Sequence, residues 1–496
     1  MFTPLRAPLA FNPITDTDSY KASHWLQYPP GVSSMYSYFE SRGGRYHSTL
    51  FFGLQYYLLQ YLDREITTEH LAEAETFFAA HGEPFNRAGW DVLVSRYGGR
   101  FPVRIRAVPE GTVVPVSNVL FDIELTTPDP DVFWVVSWLE TLLVRVWYPT
   151  TVATLGHFVK RSILEALEKS SDDPRGEIGF KLHDFGARGV SSLESARIGG
   201  AAHLVNFLGS DTVEGVRCAN HYYGTKEGMA GYSIPAAEHS TITMWGKGRE
   251  TEAYANLVRR YLYDRVLPPG VPKIAACVSD SYDIYNAVEN IWCESLHDLV
   301  RDSGGKLVVR PDSGDPATVL LKLLAIFERK VGMRKNLKGY KVLPPYFGLI
   351  QGDGINDESI PEILHALLGK GYSASNLAFG MGGGLLQQVN RDTQKFAFKC
   401  SSALIDGEPV DVAKDPVTDH GKRSKKGHLA LVRKGLDREV ETVRGPRSDD
   451  LLVPVFENGK VLVTYTLDEV RANSMLGLGE SDWASRSGAS RTGPGR

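Results

Sequence analysis

Between about residue 180 and residue 394 the chain repeats one pattern: a short apolar run, a polar or glycine-rich tip, then a stretch with helical spacing. The tips are His183-Asp-Phe-Gly-Ala-Arg188, Ser210-Asp-Thr212, Ala236-Ala-Glu-His239, Ser279-Asp-Ser-Tyr-Asp283, Arg310-Pro-Asp-Ser-Gly314, Gln351-Gly-Asp-Gly354 and Phe379-Gly-Met-Gly-Gly-Gly384. Units spaced by roughly 25 to 45 residues predict the strand–helix repeats of a parallel barrel or a doubly wound sheet. Runs such as Lys273–Val278 and Lys306–Val309 are apolar after their first residue, as strands covered on both faces require. The short, uneven units favour an irregular (β/α) barrel, whose chemistry gathers at the C-terminal ends of the strands. Those ends are where the tips fall.

The flanking segments read differently. Helical spacing at 52–62 and 69–81 is followed by strand-like runs at 103–108 and 119–125, with a turn at Pro109-Glu-Gly111 between them. The apolar run Val132–Tyr148 carries Glu140 and Arg145 and reads as a buried helix, too short to span a bilayer. After 394 strands are predicted at 396–401, 429–433, 439–443, 453–456 and 461–465, with hairpin turns at Asp406-Gly407 and Asn458-Gly459. The expected organisation is an α/β chain: an α+β segment at 1–150, the barrel at 151–394, and a β-rich segment at 395–480 that packs with the first as a second domain. The Ser/Gly/Arg-rich tail, 481–496, is expected to be disordered.

Composition narrows the function. A chain of 496 residues with 42% apolar and 23% charged residues is an ordinary globular composition. The net charge of −4 gives no polycation for nucleic acid. The four cysteines lack paired spacing, which fits a reducing, cytoplasmic setting better than disulfides or a zinc site. No signal-peptide core stands at the N-terminus.

The tips are rich in anion-binding parts. Gly382-Gly383-Gly384, ahead of a helix expected at 385–389, lets backbone N–H groups approach a phosphate, and Gly352-Asp353-Gly354 is a second such turn. Neither a Walker A motif nor a dinucleotide fingerprint is present. Arg42, Arg188, Arg310 and Arg391, with Lys399 and Lys414, supply a cationic shell for a polyphosphate. Asp280, Asp312 and Asp353 offer oxygens to ribose or Mg²⁺, or else cap the helices that follow. Glu238-His239 is an adjacent acid and imidazole at a strand-end turn, with Ser240 and Thr241 as N-caps for a helix over 242–263. Alone, His239 reads as a capping or core-edge histidine. Glycine tips alone would also suit a sugar-phosphate isomerase or aldolase, but those need a strand-end lysine or glutamate base.

Nine segments together resemble the nicotinamide phosphoribosyltransferases, from about residue 12 to 475. They are Asp18–Lys21, Tyr36–Glu40, Lys181–Gly186, Gly231–Thr241, Ser279–Tyr285, Arg310–Gly314, Gln351–Gly354, Gly382–Gln387, and Lys414–Val417 with Lys422–Gly427. The resemblance implies a homodimer of the type II phosphoribosyltransferase fold with its active sites at the subunit interface. It implies joining of nicotinamide to phosphoribosyl pyrophosphate, with Mg²⁺ held mainly by pyrophosphate and ATP hydrolysis coupled through a phosphohistidine. His239 would be that histidine, with Glu238 and Asp280 orienting it. Phe185 and the partner's Tyr20 would sandwich the pyridine ring, Asp211 and Ser233 would meet the amide, and Arg188 the amide side and pyrophosphate. Asp312 and Asp353 would bind ribose, and Arg310, Gly352, Gly383 and Gly384 its 5′-phosphate. Arg42, Arg391, Lys399 and Lys414 would come from the partner chain. Two positions depart from the family pattern: Ala187 where tyrosine is frequent, and Ala397 in place of a phosphate-binding serine. The rival readings are a nicotinate phosphoribosyltransferase and a non-catalytic binding protein on the same fold.

Overall fold

The computed structural model describes residues 9–264, 266–268, 270–414, 424–434 and 440–476. Residues 415–417, Lys422 and Arg423 of the Lys414 motif, and the tail from Ser481, lie outside them. The chain divides into two compact units, one drawn from the chain up to Thr151 and from Arg391 onward, the other from Val152–Asn390.

The second unit is built on a curled parallel sheet of six strands. Their order is Gly209–Ser210, Leu182–Asp184, Leu377–Met381, Phe347–Gln351, Lys306–Arg310 and Ile274–Val278. The two edges are bridged by one segment, since Tyr232 pairs in parallel with Gly209 and Ala236 with Ala276. The 231–237 run thus closes the barrel, through isolated bridges rather than a full ladder. Period-2 alternation sorts the side chains. Leu307, Val309, Leu349, Ala275 and Cys277 are fully or almost fully buried, each larger one contributing about 1.5–3 kcal/mol. Ala276, Val308 and Ile350 form a second cluster, against which Phe185, Ile234, Ile274 and Ala378 pack. The helix Pro316–Lys330 shows how the repeats are punctuated: Asp315 accepts from Thr318 N at 2.9 Å, with proline at the first turn.

The other unit carries an antiparallel sheet in the order Glu408–Asp411, Phe396–Ile405, Val32–Ser41, Val119–Leu125, Val103–Ala107, Val453–Glu457, Lys460–Val461. Both expected hairpins form. Asp406 and Gly407 have φ of 52° and 82°, Asn458 and Gly459 49° and 77°, the doubly left-handed pairing of type I′ turns.

Some elements differ from expectation. The 132–148 run is broken into Val135–Trp138, Glu140–Val144 and the start of Trp147–Ser170. The helix expected over 242–263 is a chain of short pieces, His239–Thr243, Lys247–Arg249, Glu250–Val258 and the π-helical Arg259–Tyr263; Gly246 at φ 84° breaks it. Its N-cap is Glu238, not Ser240 or Thr241. The strand after Asn458-Gly459 stops at Val461, and the helix after the glycine run is Gly383–Leu386. Among the described residues no helix is long and apolar enough to cross a membrane. All four cysteines are free.

Candidate active site

The strand ends of the parallel sheet open on a cavity of about 210 Å³ lined by His183, Phe185, Ala187, Arg188, Asp211, Ile234, Ala236, Ala276, Arg310 and Ile350. Its aromatic wall is Phe185, seated directly over Gly380: a Cβ there would stand 1.9 Å from Phe185 Cε2. Only glycine leaves room for the ring. Gly352 comes to the same ring from another strand end, its Cβ position 3.4 Å from Cε2 and 3.9 Å from Asp312 Oδ1.

At one end of the cavity the Ser233 hydroxyl donates to Asp211 Oδ1, and the Asp211 main chain donates to Asp184 O at 2.9 Å. His183 Nε2 meets Phe180 O at 3.1 Å, and burial lowers its imidazole below the ordinary range against the pull of Asp211. The ring is therefore neutral at pH 7. Asp211 accordingly faces the cavity as an acceptor with no cationic histidine beside it.

A second cluster surrounds His239. Its Nε2 lies 2.9 Å from Asp280 Oδ1, and Ser313 Oγ donates to Asp280 Oδ2 at 2.6 Å. A carboxylate only accepts, so Nε2 is the donor, and in the neutral ring this tautomer leaves the Nδ1 lone pair free. The imidazole is 46% exposed while the Asp280 side chain is 6% exposed, which leaves the ring accessible and its anchor buried. Glu238 turns to the Ser240 hydroxyl rather than to the imidazole. Arg310 stands 3.8 Å from Asp312 and donates to Ala237 O at 3.4 Å. Burial raises the Asp312 carboxyl above its usual range; Arg310 opposes this, while Asp280 and Asp353 add their repulsion. None of Asp280, Asp312 and Asp353 caps a helix: the caps are Asp283, Asp315 and Glu358. At the glycine run, a Cβ on Gly383 would meet nothing and one on Gly384 would press on Ile355 O at 3.0 Å, so Gly384 is the position that requires close backbone approach.

The remaining expected residues sit in the other unit, where the four cations converge. Burial lowers the Lys399 ammonium; Glu140 opposes, and Arg42, Lys414 and Arg391 add to the lowering. Arg42 Nε donates to Glu40 at 2.9 Å, and the Tyr38 hydroxyl stands beside the same guanidinium. Tyr20 is 56% exposed, edge-on to His24 with centroids 4.7 Å apart.

The profile of the nicotinate phosphoribosyltransferase (NAPRTase) family matches residues 180–460, and that of the nicotinamide phosphoribosyltransferase N-terminal domain residues 12–105. A nicotinamide phosphoribosyltransferase of Xanthomonas campestris is 54% identical over 471 residues, which cover 93% of this chain and 98% of that one. The chain belongs to the nicotinamide phosphoribosyltransferase family. A second member, from Acinetobacter baylyi, is 30% identical across 93% of this chain and 96% of its own. Two solved structures share the fold of these transferases at low identity. Nicotinate-nucleotide pyrophosphorylase of Pyrococcus furiosus aligns at TM-score 0.57 and 16% identity, covering 96% of this chain and 98% of its own. Human nicotinic acid phosphoribosyltransferase aligns at 0.54 and 17%, covering 93% of each.

Four residues at the site escaped the sequence reading. Gly380, His183 and Ser313 lay inside quoted tips, yet the anion-binding pattern drew attention to their neighbours. Gly380 alone carried a usable signal, a glycine inside a strand, which marks close approach of another group. Asp184, the fourth, lies in the His183–Arg188 tip, and nothing in the local sequence marks it.

Proposed function

We propose that the protein transfers the phosphoribosyl group of phosphoribosyl pyrophosphate to nicotinamide, giving nicotinamide mononucleotide and pyrophosphate in NAD salvage. The cavity carries this reading. It offers one aromatic face, apolar walls at Ile234, Ala276 and Ile350, and an acceptor end at Asp211 with Ser233. A planar pyridine fits against Phe185, and its amide N–H donates to Asp211. Nicotinate would set carboxylate against carboxylate there, which is repulsive. The resemblance at 54% identity supports the same choice.

In the reaction the pyridine nitrogen forms a bond to ribose C1 as the C1–O bond to pyrophosphate breaks. Positive charge develops at C1, so positioning and charge stabilisation carry the rate. Phe185, and Tyr20 of the partner subunit, hold the ring. Asp312 and Asp353 take ribose hydroxyls, and Arg310 with Gly352, Gly383 and Gly384 takes the 5′-phosphate. Arg188, with the Arg42, Arg391, Lys399 and Lys414 cluster of the partner subunit, balances the phosphates in a homodimer. The convergence of those four cations supports that role.

Among the described residues no cluster of three His, Cys, Asp or Glu side chains forms a metal cage by itself. Asp280, Asp312 and Asp353 provide the oxygen donors that suit Mg²⁺ held jointly with substrate phosphates. Bound there, the ion would neutralise the departing pyrophosphate. ATP enters as a coupled substrate. The exposed His239, with its Nδ1 lone pair set by Asp280, attacks the γ-phosphorus; the P–O bond to ADP breaks, and later hydrolysis of the P–N bond releases phosphate. Turnover of nicotinamide beside nicotinate, with and without ATP, tests the reading. A preference for nicotinate would replace it with the rival activity, and absence of turnover on both would favour a binding protein.

A further inference from the structure

We propose that Asp184 is the positioning residue that holds the ring-binding loop and the amide acceptor in register. The inference rests on the nicotinamide reading above and concerns a side chain that faces away from the cavity. Asp184 ends the Leu182–Asp184 strand between two cavity residues, His183 and Phe185. By strand alternation its own side chain points to the opposite face, where it is fully buried. This residue accepts a hydrogen bond from each recognition element. Its Oδ1 accepts from Gly186 N at 2.7 Å, bending the chain at Phe185 in an Asx turn. Its carbonyl accepts from Asp211 N at 2.9 Å. The ring that faces the pyridine and the carboxylate that faces the amide are thus fixed from one residue.

The surroundings leave that residue little freedom to move. The helices Leu193–His203 and Val213–Tyr222 meet backbone to backbone: a Cβ on Gly215 would stand 2.6 Å from Gly200 Cα. A Cβ on Gly200 would be 3.1 Å from Thr212 Cγ2 and 3.4 Å from Asp184 Oδ2. Into this packed corner Asp184 Oδ2 and Thr212 Oγ1 both project, and Thr212 with Gly186 N favours the charged carboxyl against its burial. Burial pushes the Asp184 carboxyl up to about 6, with the Asp211 charge adding to it. A carboxyl group in such a place is costly for folding, and what it gains is the geometry of the two loops.

The test uses the full-length enzyme with Asp184→Ala and Asp184→Asn, each checked for folding by circular dichroism. Asn keeps an Oδ1 for Gly186 N and adds a donor for Thr212 Oγ1. Asp184→Ala is expected to raise KM for nicotinamide about tenfold, with KM for phosphoribosyl pyrophosphate within about twofold. Asp184→Asn is expected to restore nicotinamide KM to within about threefold of wild type. An unchanged nicotinamide KM in Asp184→Ala, an equal rise in both KM values, or an Asn variant no better than Ala would overturn the proposal. If Asp184→Ala fails to fold, Asp184→Ser takes its place. Its shorter hydroxyl accepts more weakly in such turns, so its nicotinamide KM should exceed that of the Asn variant, and equality would overturn the idea. Should wild type use nicotinate instead, the nicotinamide reading fails, and the same KM split is read on nicotinate.

Discussion

Gly380→Ala perturbs the ring wall with a single methyl group. The added Cβ would lie 1.9 Å from Phe185 Cε2, 2.3 Å from Cδ2 and 2.7 Å from Cζ, where carbon contacts settle at about 3.5–4.0 Å. One partner must give by roughly 1.5–2 Å. The backbone cannot, because Gly380 pairs with His183 in register within a parallel ladder, and its strand pairs with Phe347–Gln351 on the other side. Phe185 therefore leaves its seat and enters the space meant for the pyridine. Loss of the aromatic contact alone is worth about 0.5–1.5 kcal/mol, and an error of about 1 Å in placement can cost a factor of about 100 in rate. At saturating phosphoribosyl pyrophosphate, kcat/KM for nicotinamide should fall about 10- to 100-fold. KM for phosphoribosyl pyrophosphate should move less than about threefold, and folding stability should drop by about 1–3 kcal/mol. Steady-state kinetics on each substrate and urea unfolding read these quantities. A folded variant with nicotinamide kcat/KM within about twofold of wild type would refute the placement of the ring on Phe185.

Asp211→Asn removes the acceptor charge, and the ratio of kcat/KM for nicotinamide over nicotinate should fall by about tenfold or more; an unchanged ratio would remove Asp211 from amide recognition. His239→Ala should abolish stimulation by ATP and the acid-labile phosphate on the protein, while slow turnover without ATP persists; full stimulation in the variant would exclude a phosphohistidine at 239. Asp184→Asn should change stability in a pH-dependent way. The folded-state acid near 6 lies above its ordinary 3.8, so the native state holds the proton more tightly and wild type loses stability as pH rises through 6, by at most about 3 kcal/mol. The neutral variant should therefore melt higher than wild type at pH 8 and lose that advantage as pH falls toward 4. Parallel melting curves across that range would show that the Asp184 carboxyl is not raised.

The barrel was legible because a parallel strand buried on both faces leaves a run without polar interruptions, as at 274–278 and 306–309, and because each run ended in glycine or a charge. The two hairpin turns were legible for a local reason, since Asp-Gly and Asn-Gly take left-handed φ at little cost. Longer-range features were not. The helix expected over 242–263 failed because apolar periodicity survives across Gly246 although the backbone does not. Which acids cap and which face the site also depended on tertiary placement: Asp283 and Asp315 cap, whereas Asp280 and Asp312 face His239 and Arg310. The seat of Phe185 on Gly380 joins residues almost 200 positions apart, and no local pattern encodes it. Asp184 was overlooked because its chemistry lies behind the cavity wall, on the face that alternation hides.

The activity proposed for this chain is synthesis of nicotinamide mononucleotide driven by ATP. Its most direct measurement is product formation by the purified protein from phosphoribosyl pyrophosphate with nicotinamide or nicotinate, each with and without ATP, followed by chromatography of the mononucleotide. The expected outcome is nicotinamide mononucleotide, a rate that rises with ATP, ADP formed alongside, and nicotinate used at least about tenfold less efficiently. Preferential formation of nicotinate mononucleotide, or a nicotinamide rate indifferent to ATP, would contradict it.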